Sequence, residues 1–228
     1  MLWIALLLLA GLGLASVALR LIFPGDGAAQ IEPLRQRILT MFDSTAGLTT
    51  ARLAELAQFD GRFQAHPVVT LLHIVPGGIL IALVPMQLSR PIRTRFPSFH
   101  RWTGRVLIVV AVITATAALF FGLGMPFGGL GEAIVIAIVA AWFFMSLLRA
   151  YTAIRRGDVA THRKWMLRAV AGAIGVSVVR VFGVVVDLTL TPIGLGAADA
   201  FVIALWLGWA TTIGVTEWWL HHTRPGYE

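Results

Sequence analysis

Six stretches of this chain, at about 2–23, 67–88, 101–123, 132–154, 165–188 and 200–220, run close to twenty residues with few ionisable side chains. A helix rises about 1.5 Å per residue, so each run matches the ~30 Å hydrocarbon core of a bilayer. Inside hydrocarbon every backbone N–H and C=O must find a partner within the protein, which leaves helices and closed barrels. These runs are continuous rather than alternating, and that selects helices. The expected fold class is all-α: a polytopic membrane helix bundle of six transmembrane helices, with an outer-face amphipathic segment after the first.

Composition agrees. Of 228 residues, 58% are hydrophobic and 13% are charged, where a soluble domain carries about a quarter. There is no cysteine, which excludes disulfides, thiolate metal sites and cysteine nucleophiles. The net charge of +7 sits beside apolar spans. It speaks for membrane topology and anionic headgroups, not for nucleic acid.

The chain divides into a first span (1–23), an extracytoplasmic interfacial segment (24–65), a five-helix membrane core (66–220) and a cytoplasmic tail (221–228). The first span lacks the positively charged leader of a secretory signal and reads as a retained helix. In the segment after it, Ile31, Leu34, Ile38, Met41 and Phe42, then Leu53, Leu56 and Ala57, recur at helical spacing. That spacing predicts two short amphipathic helices at the membrane surface.

Arginines concentrate between Arg90 and Arg105 and between Arg149 and Arg168, whereas the turns near Gly128 and Pro192 have none. The positive-inside rule makes the basic end cytoplasmic and puts both termini there, in a bacterial inner membrane. Trp102, Trp165, Trp218 and Trp219 fall at the same end, where indoles settle at the interface.

Ionisable groups inside hydrocarbon are functional candidates. Toward the outer end these are His66, His73, Glu132, Arg180 and Asp187. Two readings stay open for them. Arg180 pairs with Asp187 or a backbone carbonyl and only joins helices, or the five form a polar pocket for a quinone, a small anionic ligand or a proton relay. Pro76 frees the Leu72 carbonyl one turn from His73, while Gly77 and Gly78 allow close helix packing.

Toward the cytoplasmic end, Phe99-His100-Arg101-Trp102 opens the third span and Thr161-His162-Arg163-Lys164-Trp165 opens the fifth. Each is a histidine, then Arg, then Trp. Two imidazoles at equal depth on neighbouring helices can ligate one haem iron from opposite faces. They can equally be interfacial residues bonded to headgroups.

The pattern of His66, His73, Gly77-Gly78, a basic loop, Phe99 to Arg105 and Gly157 to Met166 resembles an uncharacterised bacterial membrane-protein family, domain of unknown function 2306, over about residues 66–188. That resemblance implies a multi-pass fold and no activity. The chain is also similar to transmembrane ascorbate-dependent ferric reductases, which hold two haems between paired histidines. That likeness places His100 and His162 as one ligand pair, for haem b. His66-Pro67 looks like the first ligand motif of those reductases, but the fourth span has no partner histidine. The functional expectation is a haem-binding electron-transfer module. The alternatives are a small-molecule or proton-linked transporter using the outer pocket, and a non-catalytic accessory subunit.

Overall fold

The computed structural model describes residues 50–190 and 193–223, with isolated helical positions between residues 7 and 22. The first span as a unit, residues 24–49 of the amphipathic segment and the tail 224–228 lie outside the described residues. Those that are described are helical throughout: α1 (Thr50–Ala65), α2 (Pro67–Leu88), α3 (Arg90–Arg95), α4 (Pro97–Leu119), α5 (Gly129–Arg155), α6 (Val159–Leu190) and α7 (Ala197–His222). A π-helical turn, Phe120–Gly124, extends α4. Five of these helices are long and apolar enough to cross a membrane: α2, α4 with its extension, α5, α6 and α7.

The helix starts follow local chemistry. Pro67 and Pro97 occupy the first turns of α2 and α4, where a missing N–H costs nothing and the fixed φ is already helical. The α5–α6 hairpin is closed by Gly157 at φ +79°, a left-handed conformation that ends α5 without a Cβ clash. Asp158 then accepts the Thr161 N–H at 2.9 Å and caps α6. As a result α4 and α6 begin earlier than expected, at residues 97 and 159, and His100 and His162 lie within the helices rather than ahead of them. Similarly α7 continues through His222, so His221 and His222 belong to a helix.

Two internal clusters hold the bundle. Val135, Val139, Val179, Ala204, Leu205 and Trp209 join α5, α6 and α7. Ala111, Phe143, Leu147 and Ala169 join α4, α5 and α6. The contact between α6 and α7 is closest. A Cβ on Gly208 would stand 2.7 Å from the Val179 backbone, and Trp209 donates its indole N–H to the Gly172 carbonyl at 3.0 Å. Most of the remaining apolar surface points outward, including Val68, Val109, Leu148 and Val184. For helices of this composition, that outward surface is what lipid tails cover.

The packing is uneven. α2 pairs extensively with α4, and α6 with both α5 and α7, whereas contacts of α4 with α5 and of α2 with α6 are sparse. A seam, bridged by the Ala111–Phe143–Leu147–Ala169 cluster and by the π-helical turn against α5, therefore runs between the α2–α4 pair and the α5–α6–α7 trio.

Candidate functional site

The basic end of the seam is built by the α5–α6 hairpin and by α3. The tight turn at Gly157 folds α6 back along α5, so His162 Nδ1 lies 2.9 Å from the Ala150 carbonyl. A carbonyl only accepts, so Nδ1 donates, and in the neutral ring Nε2 is the bare nitrogen. His100 stands on α4 close enough to His162 and Arg93 for their charges to interact. Its Nδ1 is buried and meets no hydrogen-bond partner among the described residues. Such an orphaned nitrogen costs roughly 1–3 kcal/mol and calls for a ligand, a water or a role.

One turn deeper, the same helix faces line a narrow apolar cavity of about 40 Å³. Gly104 follows His100 by four residues and Met166 follows His162 by four, and both line it with Leu107, Val170, Phe143 and Gln87. Residues four apart share a helix face, so each imidazole stands one turn from the cavity on the face that lines it. Gln87 donates a short hydrogen bond to the Thr103 hydroxyl, tying α2 to α4 at its rim.

Cations crowd this end. Arg93 donates to the Leu88 carbonyl at 2.8 Å. Its guanidinium is pressed below the ordinary arginine range, first by burial and then by Arg163 and Arg90. Farther round, Arg168 makes a two-pronged bond to Glu217 at 2.6 and 2.7 Å, and Arg149 and Arg168 both approach the Trp165 ring. Asp158 is held below the usual carboxylate range, chiefly by the hydrogen bond from the Thr161 side chain, with Lys164 adding to it.

At the opposite end each of the five sequence candidates has its own setting among the described residues. His66 caps α2, its ring edge-on to Phe120 at 5.2 Å. His73 Nδ1 donates to the Thr114 carbonyl at 3.1 Å. Arg180 donates to the Val176 carbonyl of its own helix at 3.0 Å. Asp187 lies half-buried two turns further along α6. Glu132 is buried to 2% exposure. It pairs with Arg62 at 3.0 Å, and its other oxygen accepts the Gly128 N–H at 2.8 Å. Arg62, absent from the sequence candidates, also donates to the Met125 carbonyl and lies within about 6 Å of four phenyl rings, those of Phe59, Phe63, Phe127 and Phe201. The one available signal was Phe59-x-x-Arg62, which puts that ring on the arginine's face of α1. Nearby, Glu55 accepts the Ala197 N–H at 2.6 Å and places a carboxylate at the positive start of α7. α1 is thus latched onto the ends of α5 and α7.

The fold and its apolar exterior define a multi-pass helical membrane protein. The chain matches, over residues 70–220, the family described as "Predicted membrane protein (DUF2306)", and it belongs to that family. No curated protein and no solved structure matches it.

Proposed function

We propose that the His100–His162 pair is the functional centre of an electron-transfer module that binds haem b at the cytoplasmic end of a bacterial inner-membrane bundle. The observation that carries this reading is the pair itself. One imidazole is preset by the Ala150 carbonyl to offer Nε2, and its neighbour has a buried, unpartnered nitrogen. A backbone carbonyl on the far nitrogen is the usual support of a ligating histidine. The donor set and the apolar walls suit a haem, which would supply one-electron chemistry. The room does not: about 40 Å³ is far below the roughly 300 Å³ or more of ordinary cofactor pockets. Occupation would require α4 and α6 to part along the seam. The likeness to di-haem reductases rests on histidine placement alone.

The test is the haem content of protein purified after expression with added haem precursor. We expect a Soret band in the wild type and in His222→Ala, and its loss in His100→Ala/His162→Ala. A colourless wild type, or an unchanged band in the double variant, rejects the reading.

The narrowness of the cavity favours a second reading, a non-catalytic accessory subunit that would purify colourless within a larger membrane complex. The transport reading has less support, because Glu132, His73 and Arg180 are already bonded to protein groups.

A further inference from the structure

We infer that Arg149, seated on Trp165 beside Arg168, holds the headgroup of an anionic phospholipid in the leaflet at the basic end, with an acyl chain lying along the outward face of α5. This inference does not rest on haem binding.

Three helices are tied together at this level. Arg149 of α5 and Arg168 of α6 both stand over the Trp165 ring, their guanidinium carbons 4.7 and 4.6 Å from its centroid. Arg168 directs two N–H groups at Glu217 of α7, at 2.6 and 2.7 Å. Trp165, Arg168 and Glu217 are all partly buried, so the ring and the ion pair are fixed in the packing. α5 and α7 press together at the other end, where Val202 crowds Gly128 and Gly131. At the basic end α6 bridges them through these four side chains.

Arg149 is the member whose charge no described carboxylate answers. Glu217 has both oxygens on Arg168, Asp158 accepts from Thr161, and Arg149 makes no ion pair among the described residues. It is also set inward. It precedes the last residue of α5 by six positions, about 9 Å along the axis, whereas Arg155 and Arg156 stand at the turn. A cation that far toward hydrocarbon is costly without a counter-charge. Stacking on the indole steadies the guanidinium by its face and keeps its N–H edge for an acceptor, a fork that fits phosphate oxygens. Two guanidiniums and one carboxylate leave a single positive charge, which one phosphodiester matches.

The surface below decides for a lipid over a soluble phosphate. Met145 and Ile138 precede Arg149 by four and eleven residues, hence lie on its face of the helix, and both are exposed. A planar cation above an apolar stripe suits an amphiphile, headgroup and chain together.

The experiment follows the thermal unfolding midpoint of the full-length protein in detergent. It is titrated in parallel with phosphatidylglycerol, with phosphatidylcholine, and with sodium phosphate against sodium chloride of equal ionic strength. Phosphatidylglycerol is expected to stabilise the wild type, and the other additions to do little. Arg149→Gln should raise the half-saturating phosphatidylglycerol about tenfold, the loss of one charge-assisted bond. Arg156→Gln removes the same charge one turn beyond the site and should change it less than about twofold. Equal weakening in the two variants means diffuse surface charge and overturns the inference, as does equal stabilisation by phosphatidylcholine. Stabilisation by sodium phosphate that matches phosphatidylglycerol overturns the lipid assignment. Should Arg149→Gln misfold, Arg149→Lys keeps the charge without the planar fork and is expected to weaken binding several-fold; wild-type half-saturation there overturns the stacked site.

Discussion

At the scale of the residue, the polar groups divide by whether the protein itself satisfies them. Glu132 was visible in the sequence as an acid inside an apolar span. Its partner was not, because Arg62 lies 70 residues earlier in a stretch that read as surface. Removing one member of a buried pair strands the other charge. Glu132→Leu should therefore lose about 3 kcal/mol of unfolding free energy, and Arg62→Met/Glu132→Leu should recover a good part of it, as read by denaturant titration in detergent. If the double variant is worse than the single, the pair is not the term that matters. Asp158 gives a pH test. Its carboxyl is depressed in the folded chain, so its contribution is present above the ordinary aspartate value of ~3.9 and fades as pH falls through the lower folded value. The wild type should lose its stability advantage over Asp158→Ala as pH drops from about 5 toward 3. An advantage that stays constant across that window contradicts the capping account.

At the scale of the element, the apolar runs gave the spans from 67 to 220 nearly residue for residue at 67–88, because hydropathy over twenty residues is a strong signal. The other boundaries moved outward by one to six residues. There the starts are set by Pro97, by the Gly157-Asp158 turn and by Gly128, which polar and basic flanks had hidden. The π-helical turn at Phe120–Gly124 left no mark in the hydropathy pattern. Neither did the docking of α1, which depends on phenyl rings from three distant segments. A Cβ on Gly77 would meet Thr114 of α4 at 3.4 Å, an ordinary contact distance, and α2 runs unbroken past Pro76. Among the described glycines, Gly208 has the closest backbone neighbour on another helix. Gly208→Ala puts a methyl against the Val179 backbone and should destabilise by about 1–3 kcal/mol through overpacking, while Gly214→Ala, which meets nothing within 4 Å, should be neutral or better. Equal unfolding midpoints for the two variants would contradict the α6–α7 packing described here.

At the scale of the whole molecule, the described helices form two groups meeting along a seam, latched at one end by α1 and crowded with cations at the other. The histidine-Arg-Trp repeat was legible as a pair of helix beginnings on one side. That an apolar cavity lies one turn from each histidine along its own helix required the packing of α2, α4, α5 and α6, which no local pattern reveals. The seam is where the account concentrates function. The most direct measurement is the dithionite-reduced minus air-oxidised difference spectrum of the purified full-length protein, set beside that of His100→Ala/His162→Ala. The account predicts a sharp b-type difference band in the wild type that the double variant lacks. A flat trace from well-folded, haem-supplied wild type, or the same band from both proteins, contradicts it.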